Sequence, residues 1–472
     1  MVCDDANASE LEMTDDLFRN RLENMIDLRH GLVKLTRIMP WEKICQAVES
    51  YIPPVVPSDK AKGNGLFGEV VLSGKASNAG QPPLPTRLLV GLHYLKHAYD
   101  CSDDEVVERW AENPYWQFFT GEEFFQTTLP CDSSSLTRWR QRIGEGGVEE
   151  MLAATIAVAK GLKIVKEADL QKVIIDTTVQ EKAIAYPTDS RLIEKSREAL
   201  VKAAEENQLN LRQNYNRVAP ALARQAGRYA HARQFKRMRR VIKKQRTLTG
   251  RIVRDIERQI DDKPDIQTKL TTLLVNVKRI LTQQPKDKNK LYALHAPEVE
   301  CISKGKARQP YEFGVKVGIA VTHKLGLIVG ARSFPGNPYD GDTLAEQLEQ
   351  VGILTETQPT TAFVDLGYRA REQVGTEIIH RGKLKRLTRA QRKALKRRQA
   401  VEPVIGHLKS DHRMNRNWLK GQLGDAMHAV LCACGYNLRF LLRQLVLLFT
   451  RIWAAMLAIR AKSDARIPVP TA

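Results

Sequence analysis

The chain has 472 residues, 43% of them hydrophobic, with 74 Lys or Arg against 54 Asp or Glu and a net charge of +20. Such a length allows about three domains with real cores, and the surplus of positive charge points to a polyanionic partner, nucleic acid or an anionic membrane. Seven cysteines without a CxxC pair exclude a disulfide scaffold and predict a reducing compartment and no zinc site.

The first sixteen residues carry six acids and no Lys or Arg, which is not the pattern of a signal peptide. Residues 14–51 read as helical, with Leu17, Leu22, Met25, Ile26, Leu32 and Leu35 at helix-like intervals. Pro40 predicts a stop and a restart at Trp41. Residues 52–85, rich in Pro, Gly and Ser, read as a linker. A compact helical unit follows over about 83–160. Pro85 opens the pattern Leu88, Leu89, Leu92, Leu95, and Ser102-Asp103-Asp104-Glu105 forms a capping box. Asn113-Pro114 starts a short aromatic segment. Residues 133–142 read as a capped helix carrying Arg138, Trp139, Arg140 and Arg142. Short helices ending in a basic one fit a helix-turn-helix-like DNA reader. They fit a plain bundle with a solvated basic face equally well.

The period changes at 172–179, where β-branched apolar residues read as a buried strand with Asp176 near its end. An acid closing such a strand is costly to bury unless paired or metal-bound, although strand-ending Asp is often only a turn residue. Residues 189–285 then interrupt the β pattern with helical sequence. Between 211 and 260, fifteen Lys or Arg stand against two acids, Asp255 and Glu257. Arg233, Lys236, Arg237, Arg240, Lys243 and Lys244 cluster there. Sparse apolar residues predict long helices or a hairpin rather than a separate core. The one-sided charge favours phosphate contact over a merely solvated arm.

β character returns at 311–334, read as two strands joined by a tight turn at Thr322-His323-Lys324. A loop with Asp340 and Asp342 follows, then a helix from Thr343 to about Val351. The segment 361–368 reads as an apolar strand closing on Asp365. A helix near 369–375 and a strand near 376–380 come next. From Arg381 to Arg398 there are ten Lys or Arg and no acid. This run ends at a lone carboxylate, Glu402, followed by apolar residues. On one helix, Arg398, Glu402 and Lys409 would share a face. A helix starting at Pro403, with Arg398 on a separate element, fits equally. The apolar stretch from Leu438 to Ile459 contains Arg439, Arg443 and Arg451, which argues against a membrane span and for a buried or interface helix. The partner is therefore nucleic acid rather than membrane. With the insertion set aside, strands followed by strand–helix alternation predict a mixed α/β sheet. Three acids on separate elements suit two-metal phosphoryl transfer, with carboxylates holding Mg²⁺ or Mn²⁺.

Six segments carry a resemblance to DDE transposases of the insertion sequence 5 type. They are Ile174-Ile175-Asp176-Thr177-Thr178, Tyr311 to Lys316, Gly336 to Gly341, Val364-Asp365-Leu366-Gly367-Tyr368-Arg369, Glu402 to Lys409, and Gly424-Asp425 with Cys434-Gly435-Tyr436-Asn437-Leu438-Arg439. The similarity spans about 83 to 445. A related signature (tyrosine, two residues, arginine, three residues, glutamate, six residues, lysine) fits at Arg398, Glu402 and Lys409 but has Leu395 at the tyrosine. The resemblance implies an α/β catalytic core with a ribonuclease-H-like mixed sheet, interrupted by a helical insertion and flanked by an all-α N-terminal region and C-terminal helices. The expected units are 1–82, a helical module 83–165, a split core 166–190 and 300–422, the insertion 191–299, and C-terminal helices 423–472. Asp176, Asp365 and Glu402 are implied as catalytic ligands of Mg²⁺, with Mn²⁺ as substitute. Arg398 and Lys409 are implied as phosphate contacts. The implied partners are double-stranded DNA and further copies of the chain, acting in the cytoplasm at the nucleoid.

Overall fold

The computed structural model describes residues 20–52, 83–303, 310–368 and 375–464. The linker segment 53–82 and most of the helix expected near 369–375 lie outside these. Pro40 does separate two helices, Gly31–Ile38 and Trp41–Glu49, because its ring cannot continue a helix from the preceding turn. The helix Thr86–Ala98 is buried on nearly every face and forms the axis of the N-terminal module. The helix Asp103–Glu112 starts on the expected capping box, with Ser102 and Glu105 each bonded to the other's backbone. Asn113 caps Pro114–Thr120, and Asp132 caps Ser133–Gly161, which kinks at Gly144 where φ is +63°.

The sheet has six strands: β1 Lys172–Glu181, β2 Glu300–Ser303, β3 Tyr311–Thr322, β4 Ile328–Phe334, β5 Thr361–Phe363 and β6 Glu377–Ile379. Its order is β2-β3-β1-β5-β6, with β4 also pairing β3. β2 and β4 share one edge of β3, β2 against residues 311–314 and β4 against 316–321. β3 runs antiparallel to β1 over nine residue pairs, whereas β5 and β6 are parallel additions. The architecture is thus a mixed α/β sheet with many helices. Two expectations need correction. β1 continues to Glu181, so Asp176 is mid-strand rather than near its end; Thr177, Thr178 and Val179 suit a strand as well as Ile174 does. The β3–β4 turn closes at Gly326, with φ +76°, and β4 starts at Ile328 rather than Leu325.

The helix Leu344–Thr355 lies over β3 and β4, where a Cβ at Gly330 would meet Gln347 and Val351. On β4, Asn437 of the C-terminal helix Gly421–Asp464 brackets Ile328, accepting from its amide at 3.0 Å and donating to its carbonyl at 2.8 Å. The same amide group donates to Thr155 at 2.9 Å, so one side chain ties sheet, N-terminal module and C-terminal helix. At the far end of β1, Lys182 sits between Glu298 (2.8 Å) and Asp425 (2.7 Å). Among the described residues one stretch, Gly421–Leu448, is long and apolar enough to cross a membrane, but 67% of its most apolar window is buried. Helix packing accounts for its composition.

Between β1 and β2 stand four helices: Asp189–Glu206, Ala219–His231, Phe235–Ile260 and Pro264–Thr282. Contrary to the sequence expectation, they enclose hydrophobic clusters of their own, built on Leu200, Ile252, Ile256, Leu274 and Val277 and on Leu222, Ala226, Val241 and Leu248. Each helix is strongly one-sided, so a few apolar residues per helix suffice for a small bundle.

Candidate metal centre

The sheet register brings Asp176 and Asp365 together. β5 pairs with β1 only from Lys172 to Ile174, with Ile174 opposite Phe363. Both acids lie two residues past that last pair. Side chains alternate with period two, so both leave the sheet on the side of Ile174 and Phe363, at neighbouring positions where β5 has ended. Glu402 arrives from another direction. The basic run folds as the helix Arg389–Lys396, a 3-10 turn Arg397–Ala400, and the helix Val401–Asp411, which packs on β1. Pro403 falls in the first turn, where its missing N–H leaves no bond unmade. Arg398 thus belongs to a separate turn yet stays one helical step from Glu402.

The three acids surround the Arg398 guanidinium. Its nitrogens lie 3.2 Å from Asp176, 3.8 Å from Asp365 and 3.6 Å from Glu402. The Arg398 side chain is 9% exposed, while those of Asp365 and Glu402 are 50% and 62% exposed. Three carboxylates stand around one guanidinium, and those of Asp365 and Glu402 are open to solvent. Clustered carboxylate oxygens at an open site are what a hard divalent cation requires, so this donor set fits Mg²⁺ or Mn²⁺. Lys409 lies two turns beyond Glu402, about 20° away around the helix. Leu395, at the position where the signature has tyrosine, is buried in the core.

Asp340 stands beside this cluster with an ion pair of its own. Its Oδ1 accepts from Lys316 at 2.9 Å and from Thr177 at 3.1 Å. A Cβ at Gly367 would sit 2.8 Å from Asp340 Oδ2, so only glycine lets the loop after Asp365 approach this closely. Asp340 therefore ties to β1 through Thr177 and lies close against the Asp365 loop at Gly367. Tyr368 is buried beside them. Burial, then the charges of Asp176 and Asp340, hold its phenol well above its usual pKa, so it remains a neutral hydroxyl. Composition gave no hint of the Lys316–Asp340–Thr177 bracing, although all three residues lie within segments of the family resemblance. Asp342 is exposed in the 3-10 turn Asp340–Thr343.

The expected DNA contacts divide. Arg138 and Arg142 are exposed, one turn apart. Arg140 is 1% exposed and bonds Asp103 at 2.7 and 2.8 Å, with Thr137 at 2.9 Å. It is a core ion pair and leaves the set of surface contacts. Arg233, Lys236, Arg237, Arg240, Lys243 and Lys244 are all exposed. His97, His428 and Cys432, all buried, bring ligand atoms within 4.8 Å of one another; His428 and Cys432 are one helical step apart, while His97 comes from a distant helix. Burial, then the charge of Lys96, pushes the His97 pKa well down. That same cation, with Arg140, opposes a dication there, and His97 Nδ1 lies 3.8 Å from Cys432 Sγ, a core contact.

Residues 20–142 match the family described as Transposase domain (DUF772), and residues 279–438 match the Transposase DDE domain. The chain belongs to the DDE transposases. It fits the insertion sequence 5 type. The DDE match contains Asp365 and Glu402, while Asp176 lies between the two matched segments. The chain is also 47% identical over 221 residues, 47% of its own length, to "Uncharacterized protein ORF8 in nfe locus" from Rhizobium meliloti, covering 95% of that protein. No solved structure matches the chain.

Proposed function

We propose that this transposase binds the ends of a mobile DNA element, cuts them, and joins them to target DNA, using Asp176, Asp365 and Glu402 as the ligands of Mg²⁺ or Mn²⁺. The observation that carries this reading is the convergence of the three acids on one guanidinium. The strand order β4-β3-β1-β5-β6 supports a ribonuclease-H-like core split by the helical insertion. When bound, divalent cations supply charge neutralisation at the phosphate and activation of the attacking oxygen. The protein's own residues position and neutralise. Arg398, held among the acids, would be placed to meet a phosphate oxygen if dications took over their charge. Lys409 offers a second phosphate contact on the same helix face. Asp340, with Lys316 and Thr177, keeps β1 and the Asp365 loop in register.

Water first attacks the phosphodiester at the element end and frees a 3′-hydroxyl. That hydroxyl then attacks a target phosphodiester and displaces a second 3′-hydroxyl, so each step exchanges one P–O bond for another. No covalent protein intermediate is needed. Arg138 and Arg142 of the N-terminal module, and the cations of the insertion, serve as duplex contacts. Joining two ends calls for more than one copy of the chain, acting on DNA at the nucleoid. Incubating the protein with a plasmid carrying the element's terminal repeats and a target plasmid, with Mg²⁺, tests the reading. Joined products are expected. Cuts without joining indicate a nuclease, and no cleavage by a DNA-bound protein indicates a binding protein alone.

A further inference from the structure

The helix Phe235–Ile260 has two opposite faces. Val241, Gln245, Leu248, Ile252, Ile256 and Ile260 are buried against the bundle. Lys236, Arg240, Lys243, Arg251, Arg254 and Arg258 are all exposed. At about 100° per residue these six fall within roughly 80° of one another, on the side away from the buried face. Thr247, also exposed, fills the one gap in the row. The helix's two acids stand off the row and are engaged. Asp255 accepts from the Arg212 amide at 2.8 Å and from Arg258 at 3.2 Å, and Glu257 pairs with Lys278. Among the described residues no ion pair neutralises Lys236, Arg240, Lys243, Arg251 or Arg254.

A row of like charges at adjacent helical turns is self-repelling and costs a few tenths of a kcal/mol per pair. A solvated face normally mixes signs. The repulsion is removed by a partner that is itself a line of opposite charge. From Lys236 to Arg258 the row is about 33 Å long at about 1.5 Å per residue, close to the ~34 Å repeat of B-form duplex. Duplex DNA carries roughly one negative charge per 1.7 Å of its axis, a density that a protein side chain or small anion does not offer over that length.

We propose that this row is a track for the phosphate backbone of duplex DNA, about one helical repeat long, held clear of the catalytic sheet by the four-helix bundle. The inference rests on the proposed action on DNA and goes further in naming the surface. Arg240, Lys243, Arg251 and Arg254 are its centre. Arg237 lies to one side of the row, and Arg233 precedes the helix in a turn at φ +55°, so neither belongs to it. Because phosphate contacts carry no base information, the track adds affinity and direction without choosing sequence.

The test uses the full chain and a random-sequence 30-base-pair duplex, with binding measured across a salt series. One variant carries Arg240, Lys243, Arg251 and Arg254 changed to Gln. A charge-matched control carries Lys195, Lys202, Lys269 and Arg279 changed to Gln on two other helices of the bundle. The slope of log K against log salt is expected to fall by roughly 3 to 4 in the first variant, at about 0.9 per lost contact, and to stay near wild type in the control. Half-row variants, Arg240→Gln with Lys243→Gln and Arg251→Gln with Arg254→Gln, should each give about half the fall and report on binding if the fourfold variant melts early. An unchanged slope, or an equal fall in the control, overturns the track while leaving the action on DNA intact. A wild-type protein with no salt-dependent duplex binding overturns both.

Discussion

The N-terminal module and the candidate metal centre each fold around one buried arginine, and they use it oppositely. At Asp103, Arg140 and Lys96 converge on a single carboxylate at 2.7 and 2.8 Å, two buried cations for one half-buried acid. At Arg398, one cation stands among three acids, two of them half exposed or more. The first arrangement leaves no acid unpaired, with a formal excess of one positive charge, and serves to lock the helices Thr86–Ala98, Asp103–Glu112 and Ser133–Gly161 together. The second has carboxylates open to solvent and an opening through which a cation and a phosphate can enter. The ratio of acids to bases, with exposure, separates a structural ion pair from a reactive site where residue type alone does not.

Changing Glu402 to Gln should break the second region without touching the first. The amide keeps the shape and loses a ligand charge, and Mg²⁺-dependent cleavage of element ends should fall by roughly a thousandfold, as expected for several kcal/mol of lost stabilisation. Thermal stability should stay level or rise, since like charges at one site repel. Near-normal cleavage by this variant would remove Glu402 from the ligand set.

Arg140→Gln should do the reverse. It leaves Asp103 with one partner in a buried setting, and should cost about 3 kcal/mol of stability, as breaking a buried pair does, while cleavage per folded molecule is retained. Burial alone would raise the Asp103 pKa, but Arg140 and Lys96 together hold it well below the usual carboxylate value of 3.8. Its stabilisation is therefore full above about pH 3.8 and is lost as the pH falls toward the depressed folded value. Acid unfolding should begin at higher pH in Arg140→Gln, and coincident acid curves would contradict this. A smaller effect is expected at Asp340→Asn, which weakens the tie to β1 beside the Asp365 loop. Cleavage should drop about tenfold, the scale of one charge-assisted bond, with Mn²⁺ binding retained. Loss of Mn²⁺ binding would instead make Asp340 a ligand.

Much of this contrast was legible in the sequence, but unevenly. The capping box at Ser102, the break at Pro40 and the short apolar runs leading to Asp176 and Asp365 are local signals, and each produced the expected element. Asp176 sits mid-strand because β1 continues through Thr177 to Glu181, residues as compatible with a strand as with a turn. The bundle core of the insertion went unforeseen because Leu200, Leu222, Ile252 and Leu274 come from four different helices, and their packing depends on the hairpins between them. Arg140 and Arg142 look alike in sequence. Only the rotation of their helix sends one into the core toward Asp103 and the other outward. The approach of Asp340 to the Asp365 loop joins residues far apart in the chain, at a glycine whose role depends on how closely two loops approach.

The metal centre depends most directly on whether the three acids hold divalent cations. Mn²⁺ titration of the full-length wild type, followed by the loss of its free paramagnetic resonance signal, should show saturable binding that weakens strongly in Asp365→Asn and in Glu402→Gln. It should tighten several-fold in Arg398→Gln, where the competing guanidinium is gone. Binding that is the same in wild type and in both acid variants would contradict the claim that Asp176, Asp365 and Glu402 form the metal centre.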